Sequence, residues 1–246
     1  MSEVQPFPDA PLNRCGLNRH AVFDLADLPD DIVGSIAGGT KGYRQLILIG
    51  HGGRALWEEV TKSGIGGRDP IDDFTLRTIR QWMSECQPDS RYAILYPGLQ
   101  PIALQRLGAL AGWHHAAPFM VGIDGEWGTW YAYRAVMLAD THFAPSPAVD
   151  RAPKTTGPWA QVPLGGVSPC AACQTKPCIA ACPASAMADG AFSLQKCVAW
   201  RKQDGSTCAL TCLARVACPV GSDHRYCTEQ LAHSYSISLQ TIREHY

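Results

Sequence analysis

Cys170-Ala-Ala-Cys-Gln-Thr-Lys-Pro-Cys-Ile-Ala-Ala-Cys-Pro183 divides this chain into two kinds of sequence. It packs four thiols into fourteen residues and closes on Cys-Pro. Nine of the eleven cysteines lie between 170 and 227, while Cys15 and Cys86 stand apart. Clustering of this kind marks a module with its own chemistry. Everything before it reads as an ordinary globular domain, so the stretch separates a fold from an attached cysteine module.

The first run is Cys170-x2-Cys173-x4-Cys178-x3-Cys182-Pro, and the second is Cys197, then Cys208-x3-Cys212-x5-Cys218-Pro. A cuboidal 4Fe–4S cluster needs four thiolates on four different irons. In the bacterial two-cluster pattern a tight loop gives three of them, and the Cys before proline ligates the other cluster. Exchanging the two Cys-Pro ligands gives an assignment for two 4Fe–4S clusters. One takes Cys170, Cys173, Cys178 and Cys218; the other takes Cys182, Cys197, Cys208 and Cys212. Zinc is the competing reading, because four-sulfur zinc sites also use Cys-x2-Cys, usually as two separated pairs. Disulfides belong to oxidising compartments. Both spacings are looser than the standard pattern, so one cluster beside an unused second site is a further alternative. Cys15 and Cys86 read as buried small hydrophobes, and Cys227 is left over from the two quartets.

The chain has 246 residues, 46% hydrophobic and 17% charged, with a net charge of −1. This suits one core domain plus an appendage. The charge gives no argument for a nucleic-acid or membrane partner, and none is expected. Leu107–Ile123 is uncharged but broken by glycines, a proline and two histidines, so it does not read as a membrane span. The start, MSEVQPFPDAPLNR, carries no export signal, and the expected compartment is the cytoplasm.

Arg44–Gly50 reads as a buried strand and Arg91–Tyr96 as another. Asp69-Pro-Ile-Asp72 starts a helix that runs to about Glu85, with Asp69 as its cap. Pro101–Trp113 reads as a further helix. Pro118–Asp124 and Thr129–Ala139 flank a glycine-bearing turn and read as a hairpin or a close pair of strands. The first domain is therefore α/β or α+β and covers 1–150. The proline-rich 144–166 is a linker, the cysteine module covers 151–223, and a helical tail follows at 224–246. Gly50-His-Gly-Gly53 is glycine-rich after a strand but lacks the dinucleotide-binding spacing, and a plain turn is the simpler reading. Asp140-Thr-His142 begins like a cobalamin-ligating motif, yet Pro145 replaces its glycine, so it reads as a strand end.

Four further stretches stand in order along the chain. They are Asp69-Pro-Ile-Asp72, RLGALAGWHHA (106–116), VGIDGEWGTWYAYRAVML (121–138) and HRYCTEQLAHSY (224–235). Together they resemble the CblC family of cobalamin-processing proteins. The order of the cysteine module also resembles epoxyqueuosine reductases and reductive dehalogenases, which join such a domain to a two-cluster ferredoxin-like module. The resemblance implies an α+β, flavin-reductase (nitroreductase)-like domain that holds cobalamin with its lower base displaced. It implies Gly122, Gly128, Trp130, Tyr131, Arg134 and Arg225 as cofactor-binding residues. Arg134 and Arg225 would line the approach of a thiol such as glutathione, and Tyr131 or Tyr133 would be the candidate proton donor. His114 and His115 are expected at the helix end or in solvent, not on cobalt. The function so implied is an iron–sulfur cobalamin reductase or processing protein, fed by an electron donor the sequence does not name. A cobalamin-dependent reductase of an organic substrate is the second reading, and a corrinoid-free electron carrier the third.

Overall fold

The structure, a computed structural model, describes residues 3–147 and 168–246. Two compact units emerge: Met1–His114 with Tyr131–Gly166, and His115–Trp130 with Val167–Tyr246. Most of the expected linker at 144–166 lies outside the described residues.

The first unit is built on strand β2 (Gln45–Gly52), buried along its whole length. A strand covered on both faces has no need of polar alternation, which is why RQLILIG is a continuous apolar run. The other strands are β1 (Arg19–Asp24), β3 (Tyr92–Tyr96) and β4 (Tyr131–Ala139), in the order β1-β2-β4-β3. All pairings are antiparallel. The fold is thus α+β. A register shift falls at Ile49/Gly50. A Cβ on Gly50 would stand 2.8 Å from the Ala132 carbonyl and 3.2 Å from the Trp113 ring, so the irregularity needs glycine.

Helices α1 (Ala10–Arg14), α2 (Asp30–Ser35), α3 (Ala55–Ser63), α4 (Pro70–Cys86) and α5 (Leu104–Leu110) complete this unit. Ile71, Phe74, Ile79, Trp82 and Met83 of α4 join Ile47, Ile49, Met137 and Phe143 in one core. Each such side chain contributes about 1.5–3 kcal/mol when fully buried. Gln45 is a buried polar residue of this interior and is fully bonded. Its Nε2 donates to Asp24 and to the Phe143 carbonyl, and its Oε1 accepts from Thr141 and the Phe143 N–H.

Three expectations need correction. Asp69 occupies the N-cap position of α4, but its side chain makes no capping bond. Helix α5 is shorter than 101–113: it starts only at Leu104, and it ends before Gly112, which adopts φ +73°. The hairpin is half formed: β4 exists, but 118–124 makes no strand, only isolated bridges of Ile123 with His115 and of Asp124 with Gly128. Asp124 explains this, since its carboxylate accepts the N–H groups of Glu126 and Trp127 and ties the chain into a local turn.

The second unit holds α6 (Pro169–Ala172), α7 (Pro177–Ala180), α8 (Leu194–Arg201), α9 (Leu213–Ala217) and α10 (Thr228–His245). The expected boundaries move here. Residues 115–130 and the tail at 224–246 cluster with this unit. Two arginines account for both shifts. Arg201 on α8 donates to the Tyr235 carbonyl and to Ser238 on α10. Arg215 on α9 donates to the Thr129 carbonyl. Gly128, at φ +58°, lies so close to the Val220 backbone that no side chain fits. No helix among the described residues is long and apolar enough to cross a membrane.

Candidate functional site

Prolines and short helices deliver the thiols of the second unit. Pro169 and Pro177 stand in the first turns of α6 and α7, where a missing N–H costs nothing. The Ser168 hydroxyl accepts the Cys170 N–H at 3.3 Å and fixes the start of the loop. Cys178 follows on α7 and is buried. Cys218 comes from the far end of α9, just before Pro219. Cys170, Cys173, Cys178 and Cys218 line one small cavity of about 20 Å³, walled by Pro169, Pro177 and Pro219.

The other four cysteines line a second space. Cys197 projects from α8, Cys208 and Cys212 precede α9, and Cys182 follows α7. Together with Phe192, Trp200, Arg201, Arg215 and Tyr235 they border a cavity of about 470 Å³. Phe119, Met187 and Ala214 form a small apolar core that touches cysteines of both groups.

The thiols sense one another in the same two groups. Burial pushes the Cys170 thiol up, with Cys218 and Cys173 adding to the rise. Cys178 is raised by burial, then by Cys218, Cys170 and Cys173. Cys197 is raised by burial, then by Cys212, Cys182 and Cys208, while Arg201 opposes. Burial also raises Cys212, against N–H groups of Arg215 and Ala214 that point at its sulfur. No thiol of one quartet is shifted by a thiol of the other in these four cases. Among the described residues no three His, Cys, Asp or Glu side chains converge closely enough for a single metal ion.

Two buried arginines escape a reading by cysteine spacing. Arg201 is 7% exposed and donates from Nε to the Cys208 carbonyl. Arg215 is also 7% exposed, and its guanidinium lies 4.6 Å from the Trp130 ring centroid and 4.8 Å from that of Tyr226. Their positions in the chain give a partial signal: Arg215 stands inside the otherwise apolar α9, while Arg201 closes the mixed helix α8.

The expected cofactor contacts are divided between the units. Gly122, Gly128, Trp130 and Arg225 lie in the second unit, and Tyr131, Tyr133 and Arg134 in the first. Trp130 is wholly buried beneath Arg215 and packs edge-on against Tyr226. Gly128 is a packing residue. Arg225 leans on the carbonyl of Cys218 at 3.4 Å. In the first unit, Arg134 donates to His51 Nδ1 at 3.0 Å and stands 3.7 Å from Asp72. The Tyr131 hydroxyl is 3.4 Å from His114 Nδ1, and the Arg19 guanidinium lies 5.1 Å from the Tyr131 ring centroid. Gly108 on α5 leaves the space that the Tyr133 hydroxyl fills. His115 exchanges backbone bonds with Ile123. Cys15 and Cys86 are partly buried against the first unit's core, and Cys227 occupies the N-cap position of α10.

These features define an antiparallel α+β unit and a second unit with two cysteine quartets. Solved structures of similar fold are epoxyqueuosine reductases. One gives a TM-score of 0.51 at 13% identity, covering 92% of this chain and 68% of the other. Another, bound to an epoxyqueuosine-modified tRNA-Tyr stem loop, gives 0.50 at 13% identity, covering 90% and 66%. The C. elegans B12-trafficking protein CblC gives 0.48 at 12% identity, covering 96% and 92%. At such identities the likeness to the reductases is one of fold. No protein-family profile and no curated protein matches the sequence.

Proposed function

We propose that this chain is an iron–sulfur oxidoreductase that binds a corrinoid and reduces it. The observation that carries the reading is the sorting of eight cysteines onto two cavities, four to each. Spacing alone grouped them the same way. Four thiols around one space suit a cluster, whose ligands bind different irons. Proline walls, buried sulfurs and N–H groups aimed at Cys212 fit the same group. Bound there, 4Fe–4S clusters would supply one-electron transfer at low potential. The chain's own part is to hold eight thiolates, exclude water with Phe119, Met187 and Phe192, and fix the helices that present the ligands.

Tyr131 and Arg134 are the corrinoid contacts we assign in the first unit. Corrinoid binding rests on the likeness of motifs to the CblC family. The fold likeness favours a second reading, a corrinoid-dependent reductase of an organic substrate, since the structures concerned are epoxyqueuosine reductases. One of them holds a tRNA stem loop. A net charge of −1 is therefore no ground for excluding nucleic acid as a partner. Anaerobic purification with iron, sulfide and corrinoid analysis tests the proposal. About eight iron and eight sulfide per chain are expected from the cysteine count. Stoichiometric zinc without sulfide refutes it. Incubation of the reduced protein with hydroxocobalamin, and separately with an epoxyqueuosine stem loop, distinguishes the two readings.

A further inference from the structure

We infer that Arg201 and Arg215 make the second quartet's cluster the electron-holding one, with a higher reduction potential than the first. The inference rests on the cluster reading above and assigns a role to two residues outside every cysteine motif. Both arginines line the cavity of Cys182, Cys197, Cys208 and Cys212. Each is 7% exposed. Arginine does not lose its proton in proteins, so both charges are permanent.

Their positions are held tightly. Arg201 makes three hydrogen bonds, to the Cys208 carbonyl, the Ser238 hydroxyl and the Tyr235 carbonyl. Arg215 lies against the rings of Trp130 and Tyr226 and donates to the Thr129 carbonyl. The first quartet is differently placed. Lys176, which borders its cavity, is exposed. Arg225, half-buried, reaches the Cys218 carbonyl through a single 3.4 Å contact. Water and salt screen an exposed charge far more than a buried one.

Reduction adds one electron to a cluster already ringed by thiolates. A nearby fixed positive charge stabilises the added negative charge and raises the potential. Two buried guanidiniums on one side, against one half-buried and one exposed cation on the other, bias the electron toward the second quartet. In this arrangement Trp130 is the platform that keeps Arg215 in place.

The test is a mediated redox titration of the anaerobically reconstituted full chain, followed by electron paramagnetic resonance. Wild-type protein should titrate in two steps. Arg215→Met and Arg201→Met should each lower the higher potential by at least tenfold in the reduction equilibrium, which is 59 mV for one electron. The lower step should stay in place, and Arg215→Lys should retain most of the wild-type value. Unchanged potentials in methionine variants that keep full iron and sulfide overturn the inference. If those variants lose iron, ligand substitution decides the matter. The higher step should be missing in Cys197→Ser and the lower step in Cys173→Ser; the opposite result overturns the inference. A wild-type protein that takes up no iron and sulfide fails at the earlier stage and refutes the cluster reading itself.

Discussion

Gly128 occupies the left-handed region at φ +58°, and the Val220 carbonyl fills the place of its missing side chain. Alanine there must adopt a strained backbone, at a cost of roughly 1–3 kcal/mol, and must also displace Val220. Gly128→Ala is therefore expected to lower the melting temperature clearly. Gly125→Ala, three residues away, should be nearly silent, because a Cβ there meets nothing. A thermal melt of both variants checks the pair. The cysteines make a second contrast. Cys197 lines the larger cavity, whereas Cys227 only starts α10 and bonds the Glu229 carboxylate. Cys197→Ser should lose about half of the iron, one of two clusters, while Cys227→Ser should keep all of it. Equal losses in an iron assay would break the ligand assignment.

At the scale of elements, α4 carries the group whose ionisation the fold opposes. Asp72 sits in its first turn, and burial raises its carboxyl above the ordinary range, with Arg134 pulling the other way. A carboxyl with a raised folded pKa binds its proton more tightly in the folded state. Its contribution is thus largest below the ordinary carboxylate pKa and is lost as pH rises through the raised value. The stability of wild type relative to Asp72→Asn should fall across that window, just above the ordinary aspartate range. Matched denaturant titrations at several pH values read the difference. A difference that rises with pH would mean that the Arg134 attraction outweighs burial. Helix α4 was legible in the sequence, as were β2 and β3, because apolar period and Asp-Pro punctuation are local signals. The missing half of the hairpin was not. There the decision lies with Asp124, whose side chain bonds its own turn, and a run such as PFMVGID does not record that. The cysteine quartets were legible for a related reason, since thiol spacing is written in the chain. Trp130 was not, because its place is set by Arg215, eighty-five positions further on.

For the molecule as a whole, the proposed division of labour assigns the metal chemistry to the second unit and Tyr131 and Arg134 to corrinoid binding. Variants can separate the two tasks. Cys218→Ser removes a ligand from the first quartet, so it should lower iron content and slow reduction of added hydroxocobalamin by tenfold or more. Corrinoid binding, followed by the visible spectrum, should remain. Arg134→Gln should do the reverse, keeping iron and sulfide and weakening the corrinoid spectral change. Its bonds to His51 and Asp72 make the fold a necessary control, read by circular dichroism. Trp130→Ala should side with the cluster variants. The residue is buried beneath Arg215, and truncating so large a side chain costs about 3–5 kcal/mol. It should disturb iron retention while corrinoid binding, assigned to Tyr131 and Arg134, persists. Loss of corrinoid binding in Trp130→Ala with the iron content intact would return that tryptophan to the ligand pocket. The physical basis is the same throughout: the protein sets where a cofactor lies and what charge surrounds it, and the cofactor supplies the reactivity.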